Sequence, residues 1–229
     1  MSGIGANPAR THVLTASAAR ALIESNAREA ADLVGELTLL LDRLGGDRSC
    51  LPAARMVTRR LSDRLGQVTT LERLADLGGY RPDAWSPIEI IEELEHDAVS
   101  LVGDRIDVCV MAADLVPQYW FFDRELVTMT LAGALHSALS HATEAVGLEF
   151  GMRDGFLGFS IVDDAGAFPA ELMNEETPRL ERGECNGNAL GVHFARLVAA
   201  VHVNDGRQGT VELLNRADAH GTRFTLWLP

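Results

Sequence analysis

The chain has 229 residues, 47% of them apolar, and a formal net charge of −13 at neutral pH. That length can bury a substantial core, in one large domain or two small ones. The acidic balance argues against a surface that neutralises a nucleic-acid backbone, and because all 20 basic residues are arginine, no lysine is available to grip a phosphate or form a Schiff base.

No apolar run approaches the roughly 18–20 residues that span a bilayer. The opening "MSGIGANPARTHVLTASAAR" lacks the apolar block of a secretory signal. The expectation is a cytoplasmic protein with neither membrane nor nucleic-acid partners. Cys50, Cys109 and Cys185 are far apart and form no CxxC pair, which points away from a disulfide framework or a zinc site.

Residues 1–13 read as a tail and 14–80 as a hairpin of two long helices. In the first, about 14–45, Ile23, Ala27, Ala30, Val34, Leu37, Leu41 and Leu44 step by three and four, the seam of a helical bundle. "GGDRS" ends it and Pro52 suits the first turn of the second helix, about 51–77. There Ala54, Val57, Leu61, Val68, Leu71 and Ala75 share a face that Arg64 interrupts. Such a hairpin cannot cover its own apolar stripe. Pairing with a second copy into a four-helix bundle is the favoured solution; folding back on the C-terminal half is the alternative.

"RPDAWSP" (81–87) reads as a linker, after which residues 88–229 change rhythm. "IEIIEELEHDAVSLV" predicts a helix, "RIDVCVMAA" a strand and "DRELVTMTLAGALHSALSHATEA" a second helix. "LEFGMRDGFLGFSIVDD" predicts a hairpin turning at Asp154-Gly155. An irregular stretch, 165–188, precedes the helix "LGVHFARLVAAVH" and a closing hairpin, "GTVELLNRADAHGTRFTLWLP". The fold class is α+β, a sandwich with helices on one face of a mostly antiparallel sheet.

Five segments in this order carry a family likeness: "SPIEIIEELEHDAVSLVGDRIDVCV", "WFFDRELVTMTLAGALHSALSHATEA", "IVDDAGAFPAEL", "GNALGVHFARLVAAVH" and "GTRFTLWLP". Together, over about residues 15–229, the chain resembles the dimerisation-plus-ATPase core of bacterial sensor histidine kinases. Its layout is also similar to histidine phosphotransferases with a degenerate ATPase domain. The resemblance implies a GHKL-type ATPase fold with an ATP pocket. It places Ser137 where the family's magnesium-binding asparagine stands, Ser140 at a usual basic position and His141 near the adenine. Asp163 matches the aspartate that accepts from the adenine amine. Ala165 and Ala167 stand where two glycines belong, and Ala189 falls between the retained Gly187 and Gly191. Serine is a poor substitute for an amide oxygen on magnesium, and alanine at a positive-φ position is strained. The pocket is therefore expected to be vestigial, with no metal and no cofactor beyond weak ATP or ADP.

The family's phosphoacceptor histidine would fall around Glu24, Ser25 and Asn26, and none of these offers an imidazole. No catalytic residue is assigned. His96-Asp97 looks like a phosphorylation pair but lies outside the hairpin; His136, His193, His202 and His220 are scattered singly, without metal spacing. The resemblance implies a non-catalytic dimer that docks a response-regulator receiver domain or a sensor kinase, through Glu24, Asn26, Arg28 and Glu29 on the first helix and Arg59 and Arg60 on the second. The alternative is an active ATP-dependent kinase or phosphotransferase with an atypical acceptor. A serine-kinase-like anti-sigma factor shares the GHKL fold, but generally lacks such a hairpin.

Overall fold

Two long helices open a computed structural model that describes residues 16–43, 51–75, 80–113, 116–173, 187–216 and 221–229. Helix α1 (Ala16–Arg43) and helix α2 (Leu51–Ala75) pack along one another as the expected hairpin. Leu44, His12, Cys50, Cys185 and His220 lie outside the described residues.

On α1 the stripe buried within the chain is Leu22, Asn26, Ala30 and Leu33. Leu22, Asn26 and Leu33 each stand one residue before a member of the predicted seam, a rotation of about 100° on a 3.6-residue helix, while Ala30 belongs to both stripes. Leu22 and Leu71 of the hairpin meet Leu126, Leu190, Phe194 and Val198 of the C-terminal half in one apolar cluster. The hairpin thus packs in part against its own C-terminal half, and Val34 and Leu41 of the seam stay exposed.

The expected linker is structured. Strand β1 (Asp83–Trp85) pairs antiparallel with β3 (Trp120–Phe122), Ala84 opposite Phe121. Helix α3 (Pro87–Val102) follows, with proline in its first turn and Gly103 closing its last at φ 57. Strand β2 (Asp107–Ala112) leads through β3 to helix α4 (Arg124–His141). Asp123 caps α4 by accepting from the Leu126 amide, and its own amide donates to Nε2 of His202 at 3.1 Å. The neutral tautomer of His202 is consistent: Nδ1 donates to the Val198 carbonyl at 2.7 Å, and burial depresses its basicity.

Helix α4 carries apolar residues around most of its circumference, the pattern of a helix covered on several sides. It packs against α2, α3, β5 and the last long helix, α6 (Gly187–Val201). It stops at His141, short of the predicted 145. There the carboxylate of Asp164 accepts from the amides of Thr143, Glu144 and Ala145 and from the Thr143 hydroxyl, turning the chain into β4.

Strands β4 (Ala145–Arg153) and β5 (Phe156–Asp163) form the predicted hairpin. Asp154 and Gly155 both take positive φ, as a two-residue hairpin turn requires. After the short helix α5 (Ala170–Met173) and α6 come a small hairpin, β6 (Val203–Asn204) with β7 (Arg207–Gln208), and the closing pair β8 (Thr210–Asn215) and β9 (Thr222–Leu228). The main sheet runs β2-β4-β5-β9-β8, with β2 parallel to β4 and the rest antiparallel. One core joins α3, α4 and α6 to the sheet, including Ile90, Leu94, Leu135, Leu148, Phe159 and Leu226.

Candidate functional site

Helical spacing brings Thr130, Gly133, Ala134, Ser137 and His141 to one face of α4. That face forms a wall of a cavity of about 120 Å³, whose other described lining includes Asp163 at the end of β5, the loop 165–168, Gly191 of α6 and Thr222 of β9. Asp163, Ser137, His141 and Gly191 therefore converge as the sequence implied. Gly187 opens α6, just upstream of Gly191. Among the lining residues that sequence reasoning did not select are Arg64, Gln67, Thr222 and Phe224.

Asp163 is buried and well supplied with donors. The Thr222 hydroxyl donates to Oδ2 at 2.6 Å, while the amides of Ala165 and Thr222 donate to Oδ1 at 3.0 and 3.3 Å. These take three of the about four acceptor positions of a carboxylate. Gly221 lies behind it at φ 136, and a Cβ there would sit 2.2 Å from the Asp163 carbonyl oxygen, so no side chain fits. Replacing Thr222 with valine should cost about 1–2 kcal/mol by removing the shortest of these bonds. Urea unfolding of Thr222→Val beside the wild type measures it.

The loop after Asp163 corrects one expectation. Ala165 and Ala167 do not have positive φ; Gly166, between them, takes φ 74. The chain has moved its left-handed residue onto the glycine it possesses, so the alanines cost no backbone strain. Their side chains still line the cavity, whereas Ala189 is buried in the main core and is not part of the lining.

What narrows the cavity comes from the hairpin. Arg64, the residue that interrupts the α2 seam, reaches Gly191: a Cβ added there would lie 3.7 Å from Nη1. Gln67 reaches Gly133 in the same way, its amide nitrogen 3.3 Å from the Cβ position. Arg64 Nη1 donates to Gln67 Oε1 at 2.9 Å, and its Nε is 3.1 Å from Glu29 Oε2. The space left is well below the roughly 300–1,000 Å³ of ordinary small-molecule pockets.

Ser137 also borders a smaller hollow with Arg60, Asp63, Arg64 and Gly133. Two guanidinium groups beside one hydroxyl are the reverse of the oxygen-rich, anionic set that magnesium requires. Asp63, the one carboxylate there, is committed to His136. This set of donors does not suit a divalent cation. His141 is exposed, its Nδ1 2.8 Å from the Ser137 carbonyl oxygen and 3.0 Å from the Ser140 hydroxyl.

His136, next to Ser137 on α4, is strongly perturbed. It is buried, with Nδ1 2.5 Å from Asp63 of α2 and Nε2 2.9 Å from Asp97 of α3. Burial alone would lower its pKa, but the two carboxylates outweigh burial and push it up to about 9. The ring is an imidazolium at neutral pH. Hydrogen bonding to it holds Asp97 below the usual carboxylate range, against the effect of burial, with help from Arg59 at 2.5 Å. His136 thus ties three helices together. By contrast, burial followed by the nearby Arg196 charge pushes His193 down to about 4.

The proposed docking residues divide. Glu24 and Arg28 are exposed on α1, with Glu24 bridged to Arg20. Asn26, expected on the surface, is fully buried and donates to the Leu22 carbonyl. Glu29 is largely covered and ion-paired with Arg60 and Arg64. Arg59 is half exposed but bound to Asp97. Of the seam, Ala30 and Val57 are buried within one chain and Ile23 packs on the cluster around Phe194. Leu37, Leu61 and Val68 are half-buried, and Ala27, Val34 and Leu41 are exposed, the last two at 49% and 53%. His96 is exposed on α3.

Among the described residues no helix is long and apolar enough to cross a membrane. No protein-family model and no curated protein matches the sequence. Solved structures do match by shape. The catalytic domain of histidine kinase ThkA aligns at TM-score 0.51 and 17% identity, over 65% of this chain and 97% of that one. ThkA in complex with the response regulator protein TrrA aligns at 0.57 and 17%, over 95% of this chain and 62% of that one. Histidine kinase AdeS of Acinetobacter baumannii aligns at 0.53 and 16%, over 87% and 96%. At such identities the likeness shows the fold: this chain has a histidine-kinase-like core with a GHKL-type C-terminal half.

Proposed function

We propose that the chain is a non-catalytic, histidine-kinase-like signalling protein, a homodimer that docks the receiver domain of a response regulator or a sensor kinase in a two-component phosphorelay. The observation that carries this reading is the hairpin itself. It has the helices on which such kinases carry their phosphoacceptor, yet no histidine occurs between residues 13 and 95. Asn26, at the corresponding place, is fully buried and bonded to the Leu22 carbonyl of its own helix. Ser137 between arginines and the small cavity support the absence of Mg-ATP chemistry.

Docking is supported by the surface that remains. Val34 and Leu41 continue an apolar stripe beside the stripe used within the chain, and Leu39 and Leu65 are also exposed. Exposed apolar side chains in helical register suit a second copy. Glu24 and Arg28 would lie beside that seam, available to a receiver domain. ThkA, which shares the fold, has been solved with a response regulator.

Light scattering of the full chain should give the mass of a dimer, and Val34→Asp with Leu41→Asp should return a monomer. Titration against receiver domains should give binding without transfer of labelled phosphate from ATP or from a phosphorylated receiver. Acid-labile label on the wild type that His96→Ala abolishes would overturn the non-catalytic reading.

A further inference from the structure

The cavity beside Asp163 is closed from the hairpin side by two residues that belong to no nucleotide site: Arg64 and Gln67 of α2. Arg64 is covered, its side chain only 11% exposed, and it meets a carboxylate through Nε and an amide oxygen through Nη1. A guanidinium awaiting a phosphate would stand open to the cavity. This one is neutralised by Glu29 of α1 and braced by Gln67. Both side chains approach the two glycines that face them: a Cβ at Gly133 would crowd Gln67, and one at Gly191 would be in van der Waals contact with Arg64.

The geometry points to Arg64 and Gln67 as a built-in plug. Docking of the hairpin places them across the cavity, so a docked hairpin and an anionic ligand in the cavity exclude one another. Glu29 sets the strength of the plug, because it holds the arginine in place and a phosphate-bearing ligand would have to displace it. The His136 bridge to Asp63, one turn of α2 before Gln67, fixes the helix in the register that the plug needs. This inference rests on reading the cavity as a former nucleotide pocket. It adds that closure is intramolecular, and therefore reversible.

The test uses full-length chains and metal-free ADP in chelator, followed by calorimetry. Glu29→Gln with Arg64→Ala removes the plug without stranding a buried carboxylate, and Gln67→Ala removes its brace alone. The plug predicts weak affinity for the wild type and binding at least about ten-fold tighter for the double variant, equal to 1.4 kcal/mol. Gln67→Ala should fall between, which keeps the idea testable if the double variant fails to fold. Equal or absent binding in all three chains overturns the plug and leaves the proposed docking role standing. Tight binding by the wild type that weakens in the double variant overturns both, since Arg64 would then be a phosphate ligand in a working pocket.

Discussion

His136→Ala should be the most destabilising single change near the site, lowering the unfolding free energy by about 3–5 kcal/mol. The variant leaves the half-buried carboxylates of Asp63 and Asp97 beside a cavity without their shared cation, Arg59 still being paired with Asp97. Desolvation then acts on two carboxylates that have lost their common cation. The loss should be recovered in large part by replacing the trio together, His136→Leu with Asp63→Asn and Asp97→Asn, since a buried ion cluster exchanged for uncharged groups is often neutral. The pH dependence has a definite sign. A ring whose pKa rises from 6.5 to about 9 on folding stabilises the native state fully below pH 6.5. That contribution, about 3 kcal/mol, fades between 6.5 and 9 and is gone above. Asp97, depressed on folding, supplies stability above its unfolded value of 3.8 that is lost as acid protonates it. Urea melts of wild type and His136→Ala from pH 5 to 10 should therefore converge at the alkaline end.

Phe194→Ala should cost about 3–5 kcal/mol, for a different reason. The ring is buried at the point where Leu22 of α1, Leu71 of α2 and Leu126 of α4 come together. Truncation removes its transfer free energy and opens a cavity shared by four helices. Because those contacts join the hairpin to the sandwich, hydrogen exchange should quicken along α1 and α2 more than in β4 and β5. Uniform acceleration, or a loss below about 1 kcal/mol, would contradict that picture of the junction.

Most of the fold was legible because its elements advertise their period. The two hairpin helices, the strands on either side of Asp154-Gly155 and the closing hairpin all follow from spacing and turn chemistry. The short pair β1 and β3 did not, since three residues set no rhythm and their partners are far apart in the chain. The α1 stripe shows how narrow the margin is. Leu22, Asn26, Ala30 and Leu33 are as regular as the predicted seam, but the asparagine disguised them as surface. Asp163, Ser137, His141 and Gly191 were selected by likeness and line one cavity. Arg64 left a visible signal, a charge interrupting an apolar face, though nothing local says that it reaches Gly191. The His136 bridge spans 73 residues to Asp63 and 39 to Asp97, and no pattern reports such pairings. The glycine argument failed at Ala165 and Ala167 because the turn shifted by one residue to use Gly166.

Strand β9 lies between β5 and β8 in the sheet but follows both of them in the chain. Without it, β5 and β8 each expose an unpaired backbone edge to other chains. The sheet thus closes only once β9 is in place, where Trp120 also donates to the carbonyl of Pro229. Deleting β9 should therefore leave a chain that chaperones and proteases remove.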